Sequence, residues 1–130
     1  MGESRRVALA KRYLRAIWSG DFAVCDALMA PAVVFTDSAG YQLEGFAECS
    51  AAARTFHKLE PDCRVDIREG FERGEAVMLR VDLDAADPRI SGAYLISVTI
   101  RDGLVHKWQI FRERRLAFSR VLRQMAETGG

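Results

Sequence analysis

Apolar residues in the first half of the chain recur at spacings of three and four. Over residues 5–18 this spacing predicts an amphipathic helix with one apolar face. Asp21 is a suitable N-cap for a short second helix that runs through Met29 and stops at Pro31. An alanine-rich segment over residues 45–59 predicts a third helix. The first half of the sequence is therefore mainly helical.

The second half alternates apolar and polar residues with the period of two that is typical of β-strands. Residues 73–75 and 101–103 predict tight turns between these segments, because Asp-Gly in particular is a strong hairpin signal. A β-branched run over residues 33–36 predicts one earlier strand, and apolar positions over 116–125 indicate a last short helix. The main strands are predicted over residues 65–71, 77–83, 91–100 and 104–111.

Three helices followed by a four-stranded antiparallel meander predict an α+β fold, with the helices on one face of a curved sheet. The 130 residues are sufficient for one domain, spanning 1–130, with a hydrophobic core. A net charge of +1, from 19 basic and 18 acidic residues, provides no field that would attract nucleic acid or an anionic membrane. We therefore expect a small molecule or a second copy of the chain as the partner.

The three cysteines, Cys25, Cys49 and Cys63, do not have the short spacing of a zinc or redox site. They are typical of reduced, partly buried thiols in a cytoplasmic protein. The amphipathic N-terminus is typical neither of a signal peptide nor of a membrane span. The sequence also contains no glycine-rich phosphate loop, no Ser-His-Asp order and no cluster of metal ligands. We therefore expect neither a cofactor nor a metal ion.

Several short strings follow one another in an order and spacing shared with a known superfamily. These strings are Tyr13-Leu14, Ser19-Gly20-Asp21, the segment 30–37, Gly45, Asp102-Gly103 and Trp108-Gln109-Ile110-Phe111. Over nearly its whole length the chain resembles the NTF2-like superfamily, which includes nuclear transport factor 2, ketosteroid isomerase, SnoaL-type cyclases and limonene-epoxide hydrolase. The resemblance implies a cone-shaped, curved mixed sheet with the three N-terminal helices packed on its concave face around an apolar pocket.

This resemblance implies two catalytic positions in the first half of the chain. Asp37, in the turn after the first strand, matches the Asp that abstracts a proton beside a carbonyl in ketosteroid isomerase-like proteins. The alternative is that Asp37 only caps its turn. Tyr13 matches the Tyr whose hydroxyl donates to the developing oxyanion. The alternative for Tyr13 is a core tyrosine with its hydroxyl at the rim.

Arg80 and Asp82 match the Arg-x-Asp of limonene-epoxide hydrolase-like proteins, in which the Asp is the acid and the Arg bridges two carboxylates. Because side chains repeat every second residue along a strand, the two share one face of the sheet. If that face lines the pocket, the pair is an acid-base apparatus. If it faces water, the pair belongs to an ordinary strand whose apolar residues face the core.

The chain departs from these relatives at two positions. Arg112 stands where hydrolase-like and SnoaL-like proteins have the Asp that activates water or removes a proton, and Phe35 stands where the hydrolases have a Tyr that holds the water. These departures argue against ordinary epoxide hydrolysis and imply a pocket that tolerates anions. The residues expected to line the pocket are Phe35, Phe56, Trp108, Ile110 and Arg112.

Two functions are compatible with this pattern. The first is a cofactor-independent acid-base enzyme, such as an isomerase, cyclase or epoxide-hydrolase-like enzyme, acting on a small, largely apolar molecule. The second is a non-catalytic domain that binds a small ligand or dimerises. Large apolar residues on both faces of the last strands indicate a sheet buried on both sides, and so predict a homodimer through the sheet face.

Overall fold

The computed structural model describes residues 3–112, so the helix predicted over 116–125 lies outside the described residues. No helix in this described part has both the length and the apolar character needed to cross a membrane. In chain order the elements are α1 (Arg5–Ser19), α2 (Phe22–Leu28), β1 (Met29–Thr36), β2 (Gln42–Glu44), α3 (Phe46–Leu59), β3 (Arg64–Arg73), β4 (Ala76–Asp84), β5 (Gly92–Arg101) and β6 (Leu104–Arg112).

The strands form one six-stranded sheet in the order β2-β1-β6-β5-β4-β3. Neighbouring strands are antiparallel except β1 and β6, which run parallel. The predicted α+β fold, with three helices and a mixed sheet, is confirmed. β2 was not predicted because three residues are too few to show a period. β2 forms because its residues pair with the edge of β1, as Leu43 does with Phe35.

β1 begins at Met29, earlier than the sequence predicted, and continues through Pro31. Proline has no N–H to donate to a ladder and fits a sheet only at an edge or an irregularity. The parallel pairing of β1 with β6 is irregular between Met29 and Val34, which is where Pro31 lies. The proline therefore marks a break in the ladder and not the start of a loop.

Both ends of α1 are capped. The N–H of Val7 donates to the Ser4 side chain at 3.1 Å, which satisfies one of the first free donors of the helix. Gly20 ends the helix with φ of 78°, a left-handed conformation that suits glycine. A Cβ at this position would also lie 2.7 Å from the His57 ring, so Gly20 lets α3 pack closely against the end of α1.

The core lies between the helices and one face of the sheet. Along β4, Val77, Leu79 and Val81 are fully buried, and the residues between them are only half-buried. Leu79 pairs with Ile96 of β5, which is fully buried on the same face. α1 contributes its predicted apolar face to this layer, including Ala10 and Leu14. The face that carries Leu79 is therefore the inner face, and the face that carries Arg80 is the outer face.

Candidate functional site

An apolar cavity of about 190 Å³ lies between the helices and the inner face of the sheet. Its wall is built by α1, α3 and strands β1, β2 and β6. The lining residues are Tyr13, Ile17, Trp18, Phe35, Leu43, Cys49, Ala52, Ala53, Phe56 and Trp108. None of these residues carries an ionisable carboxylate, imidazole, amine or guanidinium, so the cavity offers no charge to a ligand.

Trp108 is held by three other aromatic rings of the wall. Its ring centroid is 5.6 Å from that of Tyr13 and 6.4 Å from that of Trp18, both with interplanar angles of 87°. The Phe35 ring lies closer, at 4.3 Å with a tilt of 42°. Edge-to-face contacts of this kind are favourable because the positive edge of one ring meets the negative face of another. The orientation of the Trp108 indole is therefore fixed from several sides.

The polar atoms of the wall are few, and Tyr13 supplies one of them. Tyr13 is only 1% exposed, and its burial raises the pKa of the phenol well above its ordinary value. The neighbouring indole of Trp108 acts in the opposite direction but does not offset burial. The phenol is therefore protonated at neutral pH and can donate a hydrogen bond into the cavity.

Trp108 supplies a second polar atom. Its Nε1 is buried, and no described residue accepts a hydrogen bond from it. An indole nitrogen can only donate, and buried N–H groups normally have an acceptor. The Trp108 side chain nevertheless acts on the Tyr13 phenol as a hydrogen-bond partner and lowers its pKa, so the Tyr13 oxygen is a candidate acceptor for this N–H at a geometry outside that of a standard hydrogen bond. The indole N–H is itself fully buried and is not open to a ligand in the cavity.

Cys49 is the third polar group of the wall. Its Sγ lies 3.8 Å from the carbonyl oxygen of Val33 and 3.7 Å from that of Leu43, so its single S–H has two alternative acceptors and donates weakly. Burial raises the pKa of the thiol, so it stays neutral. Cys49 therefore contributes to packing and not to the charge of the site.

Asp37 does not line the cavity. Its Oδ1 accepts from the N–H of Ala39 at 2.8 Å and from the N–H of Tyr41 at 3.0 Å. The N–H of Asp37 also donates to the Tyr41 carbonyl at 2.9 Å. These bonds close the turn between β1 and β2, so the structure places Asp37 in the turn-capping arrangement and not beside Tyr13.

Arg80 and Asp82 lie on the outer face of the sheet, away from the cavity. Asp82 Oδ2 accepts from Arg68 Nε at 2.6 Å, and Arg80 Nε lies 3.0 Å from Glu69 Oε1. The two side chains are each 40% exposed, so these are surface ion pairs with β3. The structure thus places Arg80 and Asp82 on the water-facing side of β4, outside the cavity wall to which Tyr13 belongs.

Arg112 lies on the inner-face register of β6, opposite Tyr94 of β5, but it does not reach the cavity. Its guanidinium donates to the carbonyl oxygen of Arg89, and to that of Ser91 at 2.9 Å. It also lies over the Tyr94 ring, 5.4 Å from the centroid. Arg112 therefore anchors the loop between β4 and β5 and does not line the apolar cavity.

Of the residues that the sequence suggested for the pocket, the structure places Phe35, Phe56 and Trp108 in the cavity wall and leaves Ile110 outside it. Sequence reasoning missed six lining residues. Ile17 and Trp18 had a usable signal in the sequence, because both lie on the apolar face of α1. The remainder depend on how α3 and β2 pack. The six are Ile17, Trp18, Leu43, Cys49, Ala52 and Ala53.

Among residues 3–112 there is no group of three or more His, Cys, Asp or Glu side chains that could hold a metal ion. The described residues of the cavity wall offer hydrophobic contacts and the neutral polar groups of Tyr13, Trp108 and Cys49.

The family profile and the similar solved structures indicate the same fold for this chain. The sequence profile of the SnoaL-like domain matches residues 10–108. No curated protein matches the sequence. An LEH-like epoxide hydrolase from M. tuberculosis superposes with a TM-score of 0.71 at 16% identity, covering 96% of each chain. A candidate polyketide cyclase from Sinorhizobium meliloti gives 0.71 at 19% identity, covering 79% of this chain and 93% of the other.

A third similar structure is a protein with a ketosteroid isomerase-like fold from Catenulispora acidiphila, solved in complex with trimethylamine. It has a TM-score of 0.66 at 15% identity, over 82% of this chain and 85% of the other. At such low identities these likenesses establish the shared NTF2-like fold and not a shared reaction.

Proposed function

The chain belongs to the SnoaL-like family of the NTF2-like superfamily, and on that premise we propose that it binds a small, neutral, largely apolar molecule in its cavity. The observation that carries this proposal is the chemistry of the wall: aromatic and aliphatic side chains with a few neutral polar atoms. Burial of an apolar ligand in such a wall is favourable by roughly 25 cal/mol per Å² removed from water. A charged ligand would lose its hydration and gain no counter-charge.

We favour binding over acid-base catalysis as the function of this site. General acid-base catalysis needs a group within hydrogen-bond reach of the proton that it moves. The carboxylates suggested by the sequence lie elsewhere, since Asp37 caps its own turn and Asp82 is paired with Arg68 on the outer face. Among the described residues that line the cavity, none can act as a base at neutral pH.

The proposal is tested with three probes of nearly the same shape: acetophenone, the hydrocarbon α-methylstyrene, and the anion benzoate. Isothermal titration calorimetry with the full chain should detect binding of the two neutral probes and at least about tenfold weaker binding of benzoate. Ala53→Phe, which fills the cavity from α3, should abolish binding of both neutral probes. The matched control is Ala51→Phe, on the exposed side of the same helix. Equal affinity for benzoate, or unchanged binding by Ala53→Phe, would overturn the proposal.

A second candidate is an acid-base reaction on the same kind of molecule, and the protonated Tyr13 favours it. A buried phenol that donates to a carbonyl oxygen stabilises the enolate formed when a neighbouring proton is removed. This candidate predicts faster exchange of the acetophenone methyl protons for deuterium in D₂O than in protein-free buffer, followed by NMR. Tyr13→Phe should remove most of this acceleration. No acceleration by the wild type would reject this second candidate and leave the binding proposal standing.

A further inference from the structure

A second pocket lies on the outer face of the sheet and has a different chemistry from the apolar cavity. It is an open groove of about 650 Å³ at the end of the sheet where the β3–β4 and β5–β6 turns lie. We propose that this groove binds a small soluble molecule that carries a diphosphate group. Phe111, near the opposite end of β6, does not line the groove.

The wall of the groove carries an excess of positive charge. Its positively charged residues are Arg73, Arg101 and Lys107, and Glu75 is its one carboxylate among the described residues. With histidine counted as neutral, three positive charges and one negative charge leave +2 in the groove, whereas the whole chain has only +1. Charges of one sign in a concave surface raise the local concentration of oppositely charged ligands. The groove therefore favours a ligand with more than one negative charge.

The register of the strands places two of these cations on opposite sides of a low floor. Arg73 of β3 pairs with Ala76, Ala76 with Thr99, and Thr99 with Lys107 of β6. Because neighbouring strands lie about 4.8 Å apart, the Cα atoms of Arg73 and Lys107 are separated by roughly 14 Å. The two residues between them are small, so the long side chains border a hollow. A ligand with two adjoining anionic groups can contact both sides of it.

A β-bulge brings a further side chain to this wall. Thr99 pairs with Lys107, but the next residue, Ile100, pairs with Val105, so His106 is an extra residue on β6. In a regular strand, His106 and Lys107 would lie on opposite faces of the sheet, yet both line the groove. The bulge therefore places an imidazole and an ammonium group side by side at the same surface.

Arg101 is held in place by its neighbours. Its Nε donates to Glu75 Oε2 at 3.1 Å, and the N–H of Ile100 donates to the Glu75 carbonyl oxygen at 3.3 Å. A guanidinium has five N–H groups, so the terminal nitrogens of Arg101 remain as donors for an anion. In the part of the chain that the structure describes, Arg73 and Lys107 form no ion pair. The groove thus combines one fixed cation with two cations that an anion can pair with.

The chemistry of the wall favours a phosphate ligand that is free in solution. The planar guanidinium groups match the oxygens of a phosphate two at a time, and the Thr99 hydroxyl on the floor adds a donor. No Phe, Tyr or Trp is among the described residues that line the groove. It therefore has no ring on which a nucleic-acid base could stack, and no large apolar side chain that could insert into a membrane surface.

The test is isothermal titration calorimetry of the full chain with inorganic pyrophosphate, at an ionic strength of about 0.15 M. We expect pyrophosphate to bind at least about tenfold more tightly than sulfate, which has one anionic group. Arg73→Gln and Lys107→Gln should each weaken pyrophosphate binding about tenfold, because each removes a charged donor. The matched controls are Arg64→Gln and Lys58→Gln, which remove the same charges at exposed positions outside the groove.

Thermal unfolding of each variant establishes that it is folded before titration. The control variants should bind pyrophosphate as the wild type does. No binding by the wild type, or equal losses in the groove and control variants, would overturn the proposal. Equal affinity for sulfate and pyrophosphate would indicate an adventitious ion only. A second arm uses phosphatidylcholine vesicles that contain phosphatidylinositol bisphosphate, and we expect the chain to stay in the supernatant. Pelleting that is lost in Lys107→Gln would assign the groove to a lipid headgroup and reject the soluble ligand.

Discussion

The Tyr13 and Trp108 rings meet edge to face, with centroids 5.6 Å apart and planes at 87° to each other. One ring comes from the first helix and the other from the last strand, so this contact joins the two ends of the described fold at the cavity wall. It also brings the buried indole N–H of Trp108 beside the Tyr13 hydroxyl, and this N–H lowers the pKa of the phenol against the larger, opposite effect of burial. The contact therefore contributes to the stability of the fold at the cavity wall.

Alkaline pH is expected to destabilise the fold. Burial raises the pKa of Tyr13 above its ordinary value, and it raises the pKa of the Cys25 thiol to about 12. Because both groups hold their proton more tightly in the folded chain, their contribution is complete at neutral pH. This contribution to stability is lost as the pH rises. For Cys25 the loss begins near pH 9.0, the ordinary pKa of a thiol, and is complete near pH 12, the pKa of Cys25 in the folded chain.

Urea unfolding measured across this alkaline range should show a falling free energy of unfolding. Above about pH 10, where a tyrosine in the unfolded chain ionises, the free energy of unfolding should fall less steeply with pH in Tyr13→Phe than in the wild type. The exposed Tyr41 provides the control, because Tyr41→Phe should leave the slope unchanged. Equal slopes in wild type and Tyr13→Phe would show that the phenol does not carry this dependence.

Acidic pH should loosen α3, which supplies part of the cavity wall. Asp26 of α2 accepts from Arg54 Nη2 at 2.9 Å and from the Ser50 hydroxyl at 3.0 Å. The hydrogen bond with Arg54 lowers the pKa of Asp26 below its ordinary value of 3.8. The stabilisation is therefore present above pH 3.8, the ordinary pKa of an Asp. It is lost as the pH falls through the lower pKa that Asp26 has in the folded chain.

Asp26→Asn should remove this acid dependence and weaken acetophenone binding at neutral pH. Hydrogen exchange of the α3 amides measures the loosening directly. Asp21→Asn is a suitable control, because the Asp21 side chain caps only α2 and an Asn can replace it there. If the α3 amides of Asp26→Asn exchange as slowly as those of the wild type, Asp26 does not hold α3 in place.

Arg112→Ala should destabilise the loop between β4 and β5 and leave the cavity intact. Loss of the bonds to the Arg89 and Ser91 carbonyls is expected to cost about 1–3 kcal/mol in the free energy of unfolding. Amide exchange should rise in residues 85–91, while acetophenone binds as in the wild type. The exposed Arg64, at the start of β3, is the matched control. A large loss of binding in Arg112→Ala would place this side chain in the site after all.

We also propose that a second copy of the chain covers the outer face of the sheet. Phe71 and Phe111 are 49% and 42% exposed on this face, where they pair with Met78 and Leu95 respectively. Sedimentation velocity should show a dimer, and Phe111→Glu should convert it to monomer. Tyr41→Glu, in the turn before β2, should remain dimeric. A wild type that stays monomeric at high concentration would reject this proposal.

The sequence by itself determined the elements that depend on local chemistry. The helical period of α1 and its end at Gly20 could be predicted, because periods and caps involve residues only a few positions apart. Alternation along β4 also determined that Arg80 and Asp82 share a face. The chain order of these elements, together with several short strings, indicated the superfamily, and that resemblance implied the mixed sheet.

Only the tertiary structure decided which side chains meet. Asp37 could be a base or a turn cap by its sequence position, and its bonds to Ala39 and Tyr41 place it in the turn. Arg112 anchors a loop because the carbonyls that it meets belong to a segment distant in sequence. The closeness of Tyr13 and Trp108 depends on long-range packing around a cavity, which no local pattern of residues encodes.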